Sequence, residues 1–348
     1  MVFDGPGNNA TELEGDFTKE DLLAIDRRLT RDDPLFNELM AEIAAARTAE
    51  ISHTDSSGVV TPLAFEHAVF NRRAGPDAPL VLVMLGGFDH NFLKTGTARG
   101  LAAMAMRNPE QQYMVGNAFG SGGSSELPPT VFQRLTTSGS YVAPGALFTQ
   151  AVFATPEGQA ARSDGRLRIA AESRGARLAA GALAAGGLEV EVARLVAAPG
   201  HIGGLGELFA SFATEMNIHA PEYDRLSIDP HAAEFADIKE HPLDGSRPTS
   251  PSQERITASA AEAEILAREG FDDDLEAALD NITNRLDVVS LSADELSDLQ
   301  KRYDLVARLA TLEGGPRVIT HIIAHGLSHL YGGGSPGARA ILFTPETL

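Results

Sequence analysis

The chain has 348 residues, no cysteine, and 28 basic against 48 acidic side chains, a formal net charge of −20 at pH 7. Without cysteine there is no disulfide, thiolate nucleophile, thiolate metal site or iron–sulfur cluster, and the acidic excess repels nucleic acid and anionic membrane surfaces at long range. No apolar run reaches the length of a membrane span, and the N-terminus has neither the basic start nor the apolar stretch of a secretion signal, so the expectation is a cytoplasmic protein with no membrane span and no nucleic-acid partner.

In chain order, residues 1–17 are rich in glycine, asparagine and acids and are expected to fray. A helix follows from Thr18, with Leu22, Leu23, Ile25 and Leu29 on one stripe, and a second helix is predicted over 34–50 from the spacing of Leu35, Leu39 and Ile43. Residues 1–50 thus read as a helical extension. From residue 51 the period changes: 51–54, a turn at Asp55-Ser56-Ser57-Gly58, and 59–72 read as a hairpin. The run 80–85 (LVLVML) is continuously apolar and ends in Gly86-Gly87, as a strand covered on both faces does. A helix over 95–106, a strand over 112–117 and a Gly/Ser turn at 120–125 come next, then a strand over 167–171, a helix from Arg174, and a strand over 190–198. This alternation predicts an α/β fold with a mostly parallel central sheet flanked by helices, its first part spanning 51–200.

Residues 201–283 interrupt the alternation with helical pieces at 205–216 and 256–275 and a Pro/Ser/Asp-rich stretch at 240–253. Strand patterns resume at 286–291 (LDVVSL) and 317–324 (RVITHIIA), within a second core part over 284–348. The interruption is expected to be a helical cap inserted between two sheet strands. Its Leu205, Leu208, Phe209, Phe212 and Met216 either line an apolar pocket or pack the cap on the core; the alternative use of the insertion is a contact between copies in a homo-oligomer.

The chemistry centres on Ala171-Glu172-Ser173-Arg174-Gly175, where a strand pattern passes into a helix pattern with almost no loop. A serine at such a turn sits where strand and helix backbones nearly touch, so the positions two before and two after it must be small. A serine hydroxyl is a weak nucleophile and needs a base oriented by an acid. Asp294 follows the strand LDVVSL, with Glu295 and Asp298 as competing acids. His329 follows RVITHIIA, with His325 competing as base; Gly326-Leu327-Ser328 is expected to place His329 in the loop beyond the strand. His321, His325 and His329 would also share a helical face and could hold zinc, but the β-branched surroundings and Gly326 argue for a strand, and no metal or cofactor is expected.

In the order Ser173, Asp294, His329, and through four stations, the chain resembles the α/β-hydrolase superfamily over roughly 51–340. The stations are LVLVMLGGF at 80–88, NAFGSGGSS at 117–125 (similar to a D-x-x-G-x-G-x-S turn, with Asn117 for aspartate), the elbow at 171–175, and the two strands that carry the acid and base. Ala171 and Gly86 depart from the family's glycine and histidine. The resemblance implies a cofactor-free serine hydrolase acting on a small-molecule ester or other acyl substrate. Its catalytic residues would be Ser173, Asp294 and His329, and its oxyanion donors the N–H groups of Arg174 and of Phe88, with Gly87 the alternate to Phe88. A thioesterase or amidase would use the same groups, and a catalytically silent binding protein would keep the fold without them. His90, just after the oxyanion turn, is either a substrate contact or a plain loop residue. The segment 119–123 lacks the spacing of a phosphate-binding loop, so nucleotide binding is not expected.

Overall fold

Runs that are apolar throughout form the middle of a sheet, and alternating runs form its rim. A computed structural model describes residues 33–86, 91–93, 95–199, 261–262, 265–266, 271–294, 297–328 and 342–343. It gives backbone alone at 3–4, 9–16, 95, 293 and 325–328. Ten strands form one sheet: β1 (Phe3–Asp4), β2 (Asn9–Asp16), β3 (Arg47–Thr54), β4 (Val60–Phe70), β5 (Leu80–Met84), β6 (Gln112–Gly116), β7 (Leu167–Glu172), β8 (Val190–Val196), β9 (Ile282–Ala293) and β10 (Val318–Ser328). Their order across the sheet is β1-β2-β10-β9-β8-β7-β5-β6-β4-β3. The β1/β2, β3/β4 and β4/β6 pairs are antiparallel, and every other neighbouring pair is parallel.

Helices cover both faces. They are α1 (Pro34–Ala44), α2 (Thr95–Arg107), α3 (Pro129–Ser138), α4 (Val142–Phe153), α5 (Pro156–Ser163), α6 (Arg174–Ala184), α7 (Asp272–Ala278) and α8 (Leu299–Leu309). β5 is buried along its whole length and splits its side chains by the strand period of two. Leu80, Leu82 and Met84 join a core with Phe148 of α4 and Ala179 of α6, while Val81 and Val83 join a second core with Leu39 of α1 and Leu101 of α2. Because β5, β7, β8, β9 and β10 run parallel, the residues that follow them gather at one edge of the sheet, where ligands bind in open α/β folds.

Four expectations change. The helix expected over 34–50 ends at Ala44, and Arg47–Glu50 are strand, because Arg47–Thr54 pair along β4 from His67 to Val60. The terminus expected to fray contributes β2, which pairs in parallel with β10 from Asn9↔Val318 to Asp16↔His325 and covers what would otherwise be an open edge. β9 begins at Ile282, so the sheet resumes earlier than residue 286. β10 continues to Ser328, so 326–328 are strand and not loop; its pairing with β9 shifts register between Ala324 and Ser328, and Gly326 lies in that irregularity.

Of the expected cap, residues 201–260 lie outside the described residues, as does the expected helix from Thr18. Residues 271–281 are described: Phe271, Leu275 and Ala278 are fully buried, and α7 packs on α6. Among the described residues no helix is long and apolar enough to cross a membrane.

Candidate active site

β7 passes into α6 through one residue, Ser173. Its backbone sits at φ 51°, ψ −127°, a left-handed conformation for a non-glycine residue. Such geometry costs on the order of 1–3 kcal/mol and persists only where the surroundings over-determine it. Here they do. Ser173 N–H donates to Val196 O of β8 at 2.8 Å, and Ser173 O accepts from Ala176 N–H at 2.9 Å. A side chain on Gly86 would stand 2.5 Å from Ser173 Cβ and 2.9 Å from Glu172 O, and one on Gly175 would run into the carbonyl of Met84 at the end of β5. The flanking residues are therefore small because the end of β5 presses on the turn. Ala171 is tolerated in place of glycine because it lies within β7, fully buried and paired with Met84. The Ser173 hydroxyl does not cap α6, and the residue is half-buried.

Arg174 heads the first turn of α6, the position from which helix amides face an anion. Its side chain turns inward: Nε donates to Glu262 Oε1 at 2.5 Å, and the Tyr141 hydroxyl donates to the same oxygen at 2.6 Å. Burial opposes the Arg174 charge, but the Glu262 carboxylate outweighs it and the pKa lies above the ordinary guanidinium value. Burial first, and then the charge of Glu262, push the Tyr141 hydroxyl well above the usual phenol range. Tyr141 is thus held as a donor.

The oxyanion candidates Gly87 and Phe88, and also His90, lie outside the described residues. Among the residues that follow, Phe92 N–H donates to Asn117 Oδ1 at 3.2 Å, and Asn91 Oδ1 accepts from Leu93 N–H at 2.9 Å. Asn117 Nδ2 in turn donates to Glu66 Oε2 at 2.5 Å, and Gly123 N–H reaches the same oxygen at 2.7 Å. This accounts for asparagine where the resemblance leads one to expect aspartate. Its amide both accepts from the loop and donates to Glu66, whereas an aspartate would set two carboxylates against each other.

At the same sheet edge, Asp294 follows β9 directly. It is half-buried, and its N–H donates to Leu291 O at 3.2 Å. Ser328 of β10 pairs with Ala293 of β9, so Asp294 and His329 are the residues immediately following a paired position on adjacent strands. His329 itself and the competing Glu295 lie outside the described residues. Asp298 is exposed and engaged elsewhere: its side chain N-caps α8 by accepting from Lys301 N–H. The Arg302 guanidinium lies buried nearby, donating to Ala198 O at 2.5 Å and to Ser297 Oγ at 3.1 Å. Burial brings it down to about 10, against the opposing fields of Asp272 and, among others, Asp294.

His325 is in β10, at the register shift, with its backbone paired to Asp16. His321 is a packed core residue, with Nε2 2.9 Å from Ser290 Oγ and its ring edge-on to Tyr303 at 4.8 Å. Both His321 and His325 have strand backbone, so the helical spacing that would stack them on one face is not formed; residues four apart on a strand stand about 13 Å apart along the backbone. Among the described residues no group of three or more histidines and carboxylates is placed to hold a metal.

Sequence reading missed Glu66, Asn91 and Glu262. Glu262 is 88 residues from Arg174, and its segment shows no local pattern that marks it. For Glu66, a carboxylate inside a strand beside the Gly/Ser turn was the available signal.

No protein-family model matches the chain, and no curated protein matches it. Solved structures do. An α/β-hydrolase fold protein from Chitinophaga pinensis superposes with a TM-score of 0.54 at 15% identity, over 85% of this chain and 95% of that one. An acetylester hydrolase from Corynebacterium glutamicum gives 0.53 at 13% identity, over 85% and 94%. A thioesterase domain from the curacin biosynthetic pathway gives 0.50 at 16% identity, over 86% and 100%. The chain has the α/β-hydrolase fold, with β3 to β10 as its eight-stranded sheet and β1 and β2 added at the β10 edge.

Proposed function

We propose that this chain is a serine hydrolase that cleaves an ester or related acyl bond of a small molecule through an acyl-enzyme. The carrying observation is Ser173, alone between β7 and α6 at positive φ, with Gly86 against its side chain. Ser173 Oγ attacks the acyl carbonyl while His329 takes the hydroxyl proton, and Asp294 orients and stabilises the resulting imidazolium. The tetrahedral oxyanion accepts from Arg174 N–H and from Phe88 N–H, with Gly87 the alternate. Collapse expels the leaving group, which receives the proton from His329. Water activated by the same histidine then attacks the acyl-enzyme and releases the acid. The steps need only side chains and backbone.

The order of acid and base along the chain, and the neighbouring β9 and β10 ends that precede them, support this reading. Two of the similar structures are an acetylester hydrolase and a thioesterase, which supports acyl transfer to water. The insertion over 201–283 is proposed to cap the site, a reading supported by one flank and one residue within it: Pro199 O is held by Arg177 and Glu262 by Arg174, both arginines of the helix that follows Ser173.

Ser173→Ala tests the proposal on a short p-nitrophenyl ester and an acyl thioester in parallel. Loss of hydrolysis of either substrate in a variant with unchanged thermal unfolding is expected. A folded variant that keeps most of the wild-type rate would defeat the assignment, and a wild-type chain inert on both would indicate a binding protein on this fold.

A further inference from the structure

The first turn of α6 carries two buried arginines whose side chains the chemistry above does not use. Arg177 is fully buried, donates to Gly139 O and Pro199 O at 3.3 Å each, and lies 5.4 Å from the Tyr141 ring centre. Arg174, beside Ser173, is paired to Glu262, itself 5% exposed. One oxygen of Glu262 thus receives two short charge-assisted bonds, from Arg174 Nε and from the hydroxyl of Tyr141, the residue that leads into α4. A buried ion pair contributes little net stability compared with an apolar pair of similar size, while breaking it by removing one partner is costly. What such a pair does supply is a fixed position. Here the position fixed is that of the residue whose amide must point at the oxyanion, and donors act only within a few tenths of an ångström of their required place.

We propose that Glu262 is a positioning residue for this amide: by clamping the Arg174 side chain, it holds the Arg174 N–H in line with the oxyanion. The proposal rests on the reading of Ser173 as nucleophile. The Arg174 guanidinium cannot shift without breaking its short bond to the buried Glu262 carboxylate, so its backbone is tied through the side chain to Glu262 and, through Glu262, to Tyr141. A loosened clamp would leave the Ser173 hydroxyl and the turn that Gly86 and Val196 hold in place but let the amide drift. The effect belongs to kcat and not to KM.

The test uses the full chain and steady-state hydrolysis of a p-nitrophenyl ester, together with the rate of fluorophosphonate labelling. Glu262→Gln removes the carboxylate charge with little change of shape. Because that variant leaves Arg174 buried without its partner and can fail to fold, the double variant Arg174→Met with Glu262→Leu is measured alongside, an apolar pair that keeps the packing. Expected is a fall in kcat of about tenfold or more, a KM within about twofold of wild type, and a parallel fall in labelling rate, in the double variant and in Glu262→Gln if it folds. A folded double variant with wild-type kcat, or one in which KM rises and kcat holds, would overturn the positioning role. Failure of the wild type to label at Ser173 would instead defeat the nucleophile assignment, and this inference with it.

Discussion

Whether a single methyl group can be placed beside Ser173 separates a strained catalytic turn from an ordinary one. A Cβ at Gly86 would lie 2.5 Å from Ser173 Cβ and 3.2 Å from its Oγ, closer than packed carbons come. Gly86→Ala is therefore expected to displace the turn. The stability cost is about 1–3 kcal/mol, and kcat for ester hydrolysis should fall by roughly a hundredfold, because a shift of about 1 Å at reacting atoms is worth that much. Gly58→Ala is the control: its φ is also positive, +83°, but the added Cβ meets nothing within 4 Å, and the site lies at the tip of the β3/β4 hairpin. It should cost some stability and leave kcat unchanged. Wild-type turnover in a folded Gly86→Ala chain would show that β5 does not constrain the nucleophile. Ser173 was legible because its neighbours must be small, a demand visible in five residues. Glu262 was not, because a pair across 88 residues leaves no periodic trace.

Among the elements, the strand ends distinguish the two candidate bases. His325 is part of β10 and its backbone is paired to Asp16 of β2, whereas His329 follows the last strand residue, Ser328, whose partner Ala293 precedes Asp294. His329→Ala is expected to lower kcat by about three orders of magnitude or more, and His325→Ala to act mainly on thermal stability. The reverse pattern in steady-state rates would move the base to His325. Buried strands such as LVLVM in β5 were readable because both faces are covered and the whole run is apolar. β2 was not: its residues, NATELEGD, carry no apolar alternation, and the strand exists through main-chain bonding to β10. The helix read through residue 50 failed for a related reason. Arg47 and Thr48 suit either a helix rim or a strand, and the pairing with β4 decided for strand.

For the whole molecule, the alternation of strands and helices was enough to indicate an α/β fold with a mostly parallel sheet, since parallel strands need helical crossovers; the α/β-hydrolase arrangement was indicated by the resemblance at the four motif stations, which lie where the parallel edge collects its C-terminal turns. The sheet order β3-β4-β6-β5-β7-β8-β9-β10 was not in the sequence pattern, because order depends on which covered faces meet. On the proposed function, this edge carries one activated serine. Treating the intact protein with a fluorophosphonate and locating the adduct by peptide mass reads the reactivity of Ser173 without knowledge of the substrate. A single stoichiometric adduct on Ser173, formed more slowly when an ester substrate is present in excess, is expected. No adduct, or one on a different residue, would contradict it.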